Sequence, residues 1–319
     1  MGRLVKISKT SIAAASLLAT AVIGISTSPS ANAAALAPYD AKHAGGTVTL
    51  LAAAAGGTLD PKVNYTAQYW QLYQATYDGL LTFSYGTGTT TFNVVPDLAE
   101  ALPAMSNGGK TLTFKLRSGI KFSNGKPVSV ADVKASFERI FKVSSPTAGS
   151  FYNGIVGADA CLKTPASCKL DKGVVVDSKT NSVVINLTSP DDAILSKLAV
   201  PHAVINPADA PSKDAGSTII PTTGAYMFKS YDANKQLVMV RNPYFKEWNH
   251  DAQPQGYPDQ IIYKFGVTPT AQVTAVENNQ ANWGFDPIPA DRLNEIGTKY
   301  ASQVHVNPLT AMWYVPMNV

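Results

Sequence analysis

The side chains of this 319-residue chain that could do covalent or metal chemistry are few and spread out. Its two cysteines, Cys161 and Cys168, have six residues between them, and its four histidines, His43, His202, His250 and His305, stand far apart. A metal site usually gathers closely spaced ligands such as CxxC or HxxxH, and neither spacing occurs, so no metal is expected. The nucleophile elbow G-x-S-x-G, the HExxH zinc motif, the P-loop and G-x-G-x-x-G are also absent. A Ser-His-Asp triad can be built from distant residues, so sequence leaves it open, but nothing nominates one. The cysteine pair is then either a disulfide or a pair of free thiols, and the compartment decides between them.

The amino terminus supplies the compartment. Arg3, Lys6 and Lys9 form a positive start, Ile12–Ile25 is apolar, and Ala31-Asn32-Ala33 offers small residues for cleavage. This is the pattern of a secretory signal, and the apolar run falls short of the ~20 residues of a membrane span. No cysteine lies near the cleavage site, so no lipid anchor is expected. In an exported chain, Cys161 and Cys168 read most simply as a disulfide closing a small loop, contributing about 2–3 kcal/mol through chain entropy. Oxidised cysteines leave no thiol nucleophile. Removing residues 1–33 takes away three positive charges and no negative ones, lowering the net charge from +4 to +1. A near-neutral chain with 15% charged residues does not fit nucleic-acid binding.

The elements that would position any site are clearest at Lys110–Phe141. Leu112, Phe114 and Leu116 alternate with Thr111, Thr113 and Lys115, the period of a half-buried strand. Ser118-Gly119 and Asn124-Gly125 supply turns, because glycine accepts positive φ without steric cost. Ser129 caps a helix with Asp132 three residues on, and Val133, Phe137, Ile140 and Phe141 share one face of it. Elsewhere Thr47–Ala52 reads as a strand, Tyr69–Tyr77 as helical, and Gly173–Val176 with Ser182–Leu187 as a hairpin. Further strands fall at Ala225–Lys229, Gln236–Arg241 and Gln260–Phe265, and a helix starts near Pro269, since proline suits a first turn. Tyr85–Thr91 reads as a surface loop and a boundary, and Pro201–Ala215, rich in Pro, Ala and Asp, marks a second boundary. The 286 residues after cleavage (319 minus 33) exceed one ordinary domain, so two compact units are expected.

The Lys110–Phe141 run resembles the most recognisable block of the peptide/nickel-type extracellular solute-binding proteins (family 5), the receptors of ABC importers. Phe114, Leu116, Arg117, Gly119, Lys121-Phe122, Gly125, Pro127-Val128, Ala131-Asp132-Val133 and Arg139 carry the match. Leu59-Asp60-Pro61, Tyr77–Leu81, Val95–Glu100, Asn181–Pro190, Thr223–Tyr226 with Leu237–Tyr244, and Gln303–Asn318 are similar to further family blocks in family order. Ala225 replaces the commoner proline.

The resemblance implies an α/β, periplasmic-binding-protein-like fold (class II, cluster C): one lobe with an inserted α/β subdomain, the second lobe missing. Residues 1–33 would be the signal peptide, 34–82 and 202–309 the two segments of lobe one, and 83–201 the inserted subdomain. Residues 310–319 would start the crossing to the absent lobe. The family's ligand-lining positions carry over to Tyr65, Thr66 and Ala67, to Phe151, to Phe285 and Asp286, and to Trp313 and Tyr314 on the crossing strand. The glycine that usually precedes the Asn282–Asp286 segment is absent from Asn278–Ala281. The implied role is non-covalent capture of a small peptide or related solute and its delivery to ABC permease subunits, by a monomer outside the membrane and without a cofactor. A sensing receptor, a non-binding truncated fragment and a secreted hydrolase are the alternatives.

Overall fold

The structure, a computed structural model, describes residues 36–86 and 88–303. The signal segment, the 310–319 crossing, and Trp313 and Tyr314 lie outside the described residues. In chain order the elements are β1 (Thr47–Leu51), α1 (Ala67–Thr76), β2 (Leu81–Phe83), β3 (Val94–Pro96), β4 (Ala104–Ser106), β5 (Thr111–Lys115), α2 (Val130–Lys142) and α3 (Ala158–Lys163). There follow β6 (Val174–Asp177), β7 (Ser182–Asn186), α4 (Ile194–Leu198), β8 (Tyr226–Asp232), β9 (Gln236–Arg241), β10 (Gln260–Lys264), α5 (Pro269–Glu277), β11 (Trp283–Gly284) and α6 (Leu293–Lys299).

Local chemistry accounts for the strongest of these. In β5, Leu112 and Phe114 are buried while Thr113 and Lys115 face out. Gly119 and Gly125 both sit at φ +84, the left-handed region their turns require. The capping box is complete: Ser129 Oγ accepts from Asp132 N, and Asp132 Oδ2 accepts from Ser129 N at 2.8 Å. Thr268 caps α5 by accepting from Ala271 N, with Pro269 in its first turn. The short elements β2, β3, β4, β11, α3, α4 and α6 escape sequence reading because each spans two to seven residues, too few to establish a period. The Tyr85–Thr91 segment likewise overlaps a 3₁₀ turn, Gly88–Phe92.

One sheet has the order β11-β1-β10-β9-β8, with β1 parallel to both β10 and β11 and the other pairs antiparallel. A second, wholly antiparallel sheet has the order β4-β5-β7-β6, and β2 pairs with β3. Two hydrophobic clusters follow. The first packs the inner face of the four-stranded sheet (Leu112, Phe114, Val183, Ile185) against the apolar face of α2 (Val133, Phe137, Ile140, Phe141). Cys161 and Cys168 are joined in a disulfide and buried in it. The second packs Tyr69, Leu72 and Tyr73 of α1 on Phe228, Leu237, Met239 and Tyr263 of the five-stranded sheet.

A buried ion pair ties the two regions together. Asp60, in the loop before α1, receives both terminal nitrogens of Arg139 from α2, with Nη1 at 2.8 Å from Oδ1 and Nη2 on Oδ2. Asp60 also accepts from Lys62 N and Ala215 N, both at 3.0 Å, and Arg139 donates onward to Pro211 O and Lys213 O. Burial works against the Asp60 charge, but the Arg139 bonds and charge outweigh it and hold the carboxyl below its ordinary value. A carboxyl lowered on folding lends stability above its unfolded value of about 3.9 and loses it as pH falls through the folded one.

Replacing Arg139 with Leu strands the Asp60 charge in the interior. Urea unfolding should show a loss of about 3–5 kcal/mol. The double variant Asp60→Asn with Arg139→Leu should recover part of that loss; equal losses in both would show that the ion pair is not what matters.

Candidate ligand-binding site

The chain leaves β1 at Leu51, runs through the small residues Ala52–Gly57, and turns at Asp60-Pro61 into α1. Asn64 organises this turn with every polar atom it has. Its Nδ2 donates to Gly56 O (2.9 Å) and Thr58 O (2.7 Å), and its Oδ1 accepts from Thr66 N (3.0 Å) and Thr66 Oγ1 (2.7 Å). Its carbonyl accepts from Trp70 Nε1 and His202 Nε2, both at 3.0 Å. The neighbouring Tyr65 is thereby turned outward and stays 57% exposed. Its ring stands edge-on to Trp70 at 5.0 Å and tilted over His202 at 5.4 Å. Thr66 and Ala67 are exposed beside it at the start of α1.

His202 is fully buried beneath Tyr65, and its partners define its tautomer. Nε2 faces a carbonyl and must carry the hydrogen, while Nδ1 accepts from the Thr147 hydroxyl at 2.7 Å. Burial pushes this imidazole down to about 4; the bond to Asn64 O opposes that fall and the Lys62 charge adds to it. Lys62 is itself fully buried, donating Nζ to His202 O (3.0 Å) and Val204 O (2.6 Å). Burial, then the Arg139 charge, push its amine well below the ordinary lysine value.

A second set of groups gathers where the parallel strands β1 and β11 end, the edge of an α/β sheet at which ligands commonly bind. Phe285 N donates to Leu51 O at 2.9 Å, and the Phe285 ring packs partly buried on the second cluster. Asp286 Oδ2 accepts from Ala53 N (2.7 Å) and Gln272 Nε2 (2.6 Å). The Ala52–Gly57 segment links this corner to Tyr65, because Gln68 Nε2 also donates to Ala54 O at 2.9 Å. Phe151 lies elsewhere, half-buried against the first cluster and edge-on to Tyr152 at 6.2 Å. It connects to the Tyr65 loop indirectly: Phe151 N donates to Thr147 O at 2.8 Å, and the Thr147 side chain holds His202.

The structure therefore gathers Tyr65, Thr66 and Ala67 with Phe285 and Asp286 around one backbone segment, and sets Phe151 behind His202. Sequence reasoning missed Asn64, Lys62, His202 and Gln272, whose partners are remote in the chain. The exposed phenol ring can stack on or bury apolar ligand surface, and the Asp286 carboxylate is an acceptor suited to an ammonium. Among the described residues no three His, Cys, Asp or Glu side chains converge as a metal site needs, and no helix is long and apolar enough to cross a membrane.

Comparisons with known proteins bear on the family and the fold. The model of the bacterial extracellular solute-binding proteins, family 5 Middle, matches residues 93–319. The probable D,D-dipeptide-binding periplasmic protein DdpA of Escherichia coli (strain K12) is 30% identical over 269 residues, covering 82% of this chain and 47% of that protein. The periplasmic oligopeptide-binding protein OppA of the same organism is 26% identical over 233 residues, covering 70% of this chain and 41% of that one. The solved Escherichia coli murein tripeptide binding protein MppA shares the fold, with a TM-score of 0.66 at 21% identity over 81% of this chain and 49% of its own. This chain spans less than half the length of these curated relatives.

The His202 geometry has a pH signature. A histidine whose value falls on folding lends stability that is present above its unfolded value of about 6.5 and lost as pH drops through about 4. Long-range proton–nitrogen NMR should show the Nε2–H tautomer persisting at pH 5. His202→Gln should remove up to tenfold per pH unit from the acid-side rise in the unfolding constant. An imidazolium already formed at pH 6 would refute the assignment.

Proposed function

This chain belongs to the bacterial extracellular solute-binding proteins of family 5, and from that premise we propose that it captures peptides or similar small solutes outside the membrane for an ABC importer. Capture is non-covalent, needs no cofactor and no catalysis, and is performed by an exported monomer that hands its ligand to membrane permease subunits. The observation that carries this reading is Tyr65, an aromatic side chain more than half exposed yet held by the Asn64 and His202 network beside the Asp286 corner. An exposed ring with a pre-ordered backbone is what a binding wall needs, since less freedom is lost on binding. The names of the relatives support the ligand class: they are described as binding D,D-dipeptides and oligopeptides.

Asp286 then receives a ligand ammonium, Tyr65 and Phe285 cover apolar side chains, and the exposed turn at Thr66-Ala67 offers main-chain groups to an extended peptide. Phe151, set behind His202, bears on this wall only indirectly through Thr147, and the family resemblance nominates Trp313 and Tyr314 as further ligand contacts. Residues 34–82 and 202–309 form one lobe and 83–201 the inserted subdomain. The division of the hydrophobic clusters supports this: the first draws on residues from Leu80 to Ile205, the second on Ala52–Tyr77 and Val204–Phe265. Closure of a second lobe over the ligand would follow from tighter contacts in the closed state.

Calorimetric titration with di- to pentapeptides tests the reading, on this chain and on any longer product of the same reading frame. Tyr65→Ala should weaken binding about 10- to 100-fold, or about 1.4–2.8 kcal/mol. Asp286→Asn should act selectively on peptides with a free amino terminus. Unchanged affinity in both variants, or no peptide binding by any form, would remove the proposed site or the ligand class respectively.

A further inference from the structure

Asp78 and Asp97 are each only 1% exposed and lie where the chain passes between the two hydrophobic clusters. Asp78 stands between Tyr77 of the second cluster and Leu80 of the first, and Asp97 immediately precedes Leu98 of the first. Backbone bonds lay the two stretches side by side: Asp97 N donates to Leu80 O and Leu98 N to Gly79 O, both at 3.0 Å. Three of the four carboxyl oxygens accept an N–H. Asp78 Oδ1 accepts from Gln253 Nε2 (2.6 Å), Asp97 Oδ1 from Trp248 Nε1 (3.0 Å) and Asp97 Oδ2 from Gly79 N (3.3 Å). The fourth, Asp78 Oδ2, is buried with no hydrogen-bond partner. An orphaned buried acceptor is unfavourable, and two ionised carboxylates held together out of water are more so.

We propose that the pair is a binding site for one proton, carried on Asp78 Oδ2, the one carboxyl oxygen of the four that no N–H occupies, which makes the two acids a proton-operated clasp between the clusters. One proton leaves the orphaned oxygen uncharged and the pair with a single negative charge. Arg117 donates Nε to Asp97 O at 2.8 Å, and its charge favours ionised Asp97. The Thr223 hydroxyl, which accepts from Asp78 N at 3.1 Å, favours the ionised form of Asp78 and so opposes the arrangement. The Tyr85 phenol is held protonated by burial and by both acids. Burial outweighs these opposing groups, pushing Asp78 up to about 6 and, with the Asp78 charge added, Asp97 well above its ordinary value.

The clasp lies at a joint. Ile205 N donates to Asp78 O at 2.8 Å, and Gln253 Nε2 also reaches Gln74 O in α1 at 2.9 Å. Above about 3.9, where an unfolded carboxyl ionises, the folded chain holds more protons than the unfolded one. Stability contributed by the pair therefore falls as pH rises across that window, opposite in sign to the effect of His202.

Urea unfolding from pH 4 to 9 on wild type and two variants, with carboxyl-carbon NMR of wild type, tests the assignment. Asp78→Asn sets an amide N–H where the acid O–H stood and removes the buried charge. It should be at least as stable as wild type at pH 8 and lose a pH dependence of up to about tenfold per pH unit in the unfolding constant. Asp97→Asn turns an amide N–H against Gly79 N–H or Trp248 N–H and should be destabilised at every pH. In wild type the Asp78 carboxyl carbon should titrate above pH 5. Both carbons titrating below pH 5, or the reverse order of tolerance between the variants, overturns the proposal. If neither variant folds, the wild-type titration alone decides.

Discussion

The bidentate contact between Asp60 and Arg139 is the constraint from which the rest of the Tyr65 region follows. An ionised carboxylate this deep is tolerated only when its oxygens are occupied, and here Arg139, Lys62 N and Ala215 N occupy them. Arg139 is held by α2, so the turn before α1 takes its position from a helix in the other hydrophobic cluster. Once Asp60 is placed, Lys62 has nowhere to point but inward, and its ammonium finds the carbonyls of His202 and Val204. That in turn places His202 under Asn64. The exposed ring at Tyr65 is the last member of a series that starts with a salt bridge on the far side of the turn.

Net stabilisation is not the best account of such a pair. A buried ion pair often contributes little compared with apolar residues of the same shape, because desolvation offsets attraction. What the fork of a guanidinium adds is direction: two parallel bonds admit one orientation of the carboxylate, and so one path for the loop. The disulfide between Cys161 and Cys168 acts differently, restraining a short stretch within one cluster.

Local features were legible in the sequence and remote ones were not. The capping box at Ser129 and Asp132, the alternation in β5 and the proline start of α5 depend on neighbours within a few residues, so their patterns survive in a linear reading. The family blocks were legible for the same reason. His202 was hidden because its partner Asn64 is 138 positions away and the segment around it, rich in Pro, Ala and Asp, reads as a boundary. Asp286 could be nominated as facing a cleft, but nothing in the chain announces that one of its oxygens is committed to Ala53 N and Gln272. Asp78 and Asp97 resemble ordinary turn acids until their burial is known.

Lys62 carries a chemical consequence of its own. An amine pushed toward its neutral form is a good nucleophile, yet this one has no exposed surface through which a reagent could reach it. Surface lysines are open to a reagent; Lys62 is shut in. Its acylation can proceed only when the turn between Asp60 and Asn64 lifts away from His202 and Val204. The speed of that modification would thus measure how often the turn beneath Tyr65 comes apart, a clock for breathing motions that the chain carries without any added label.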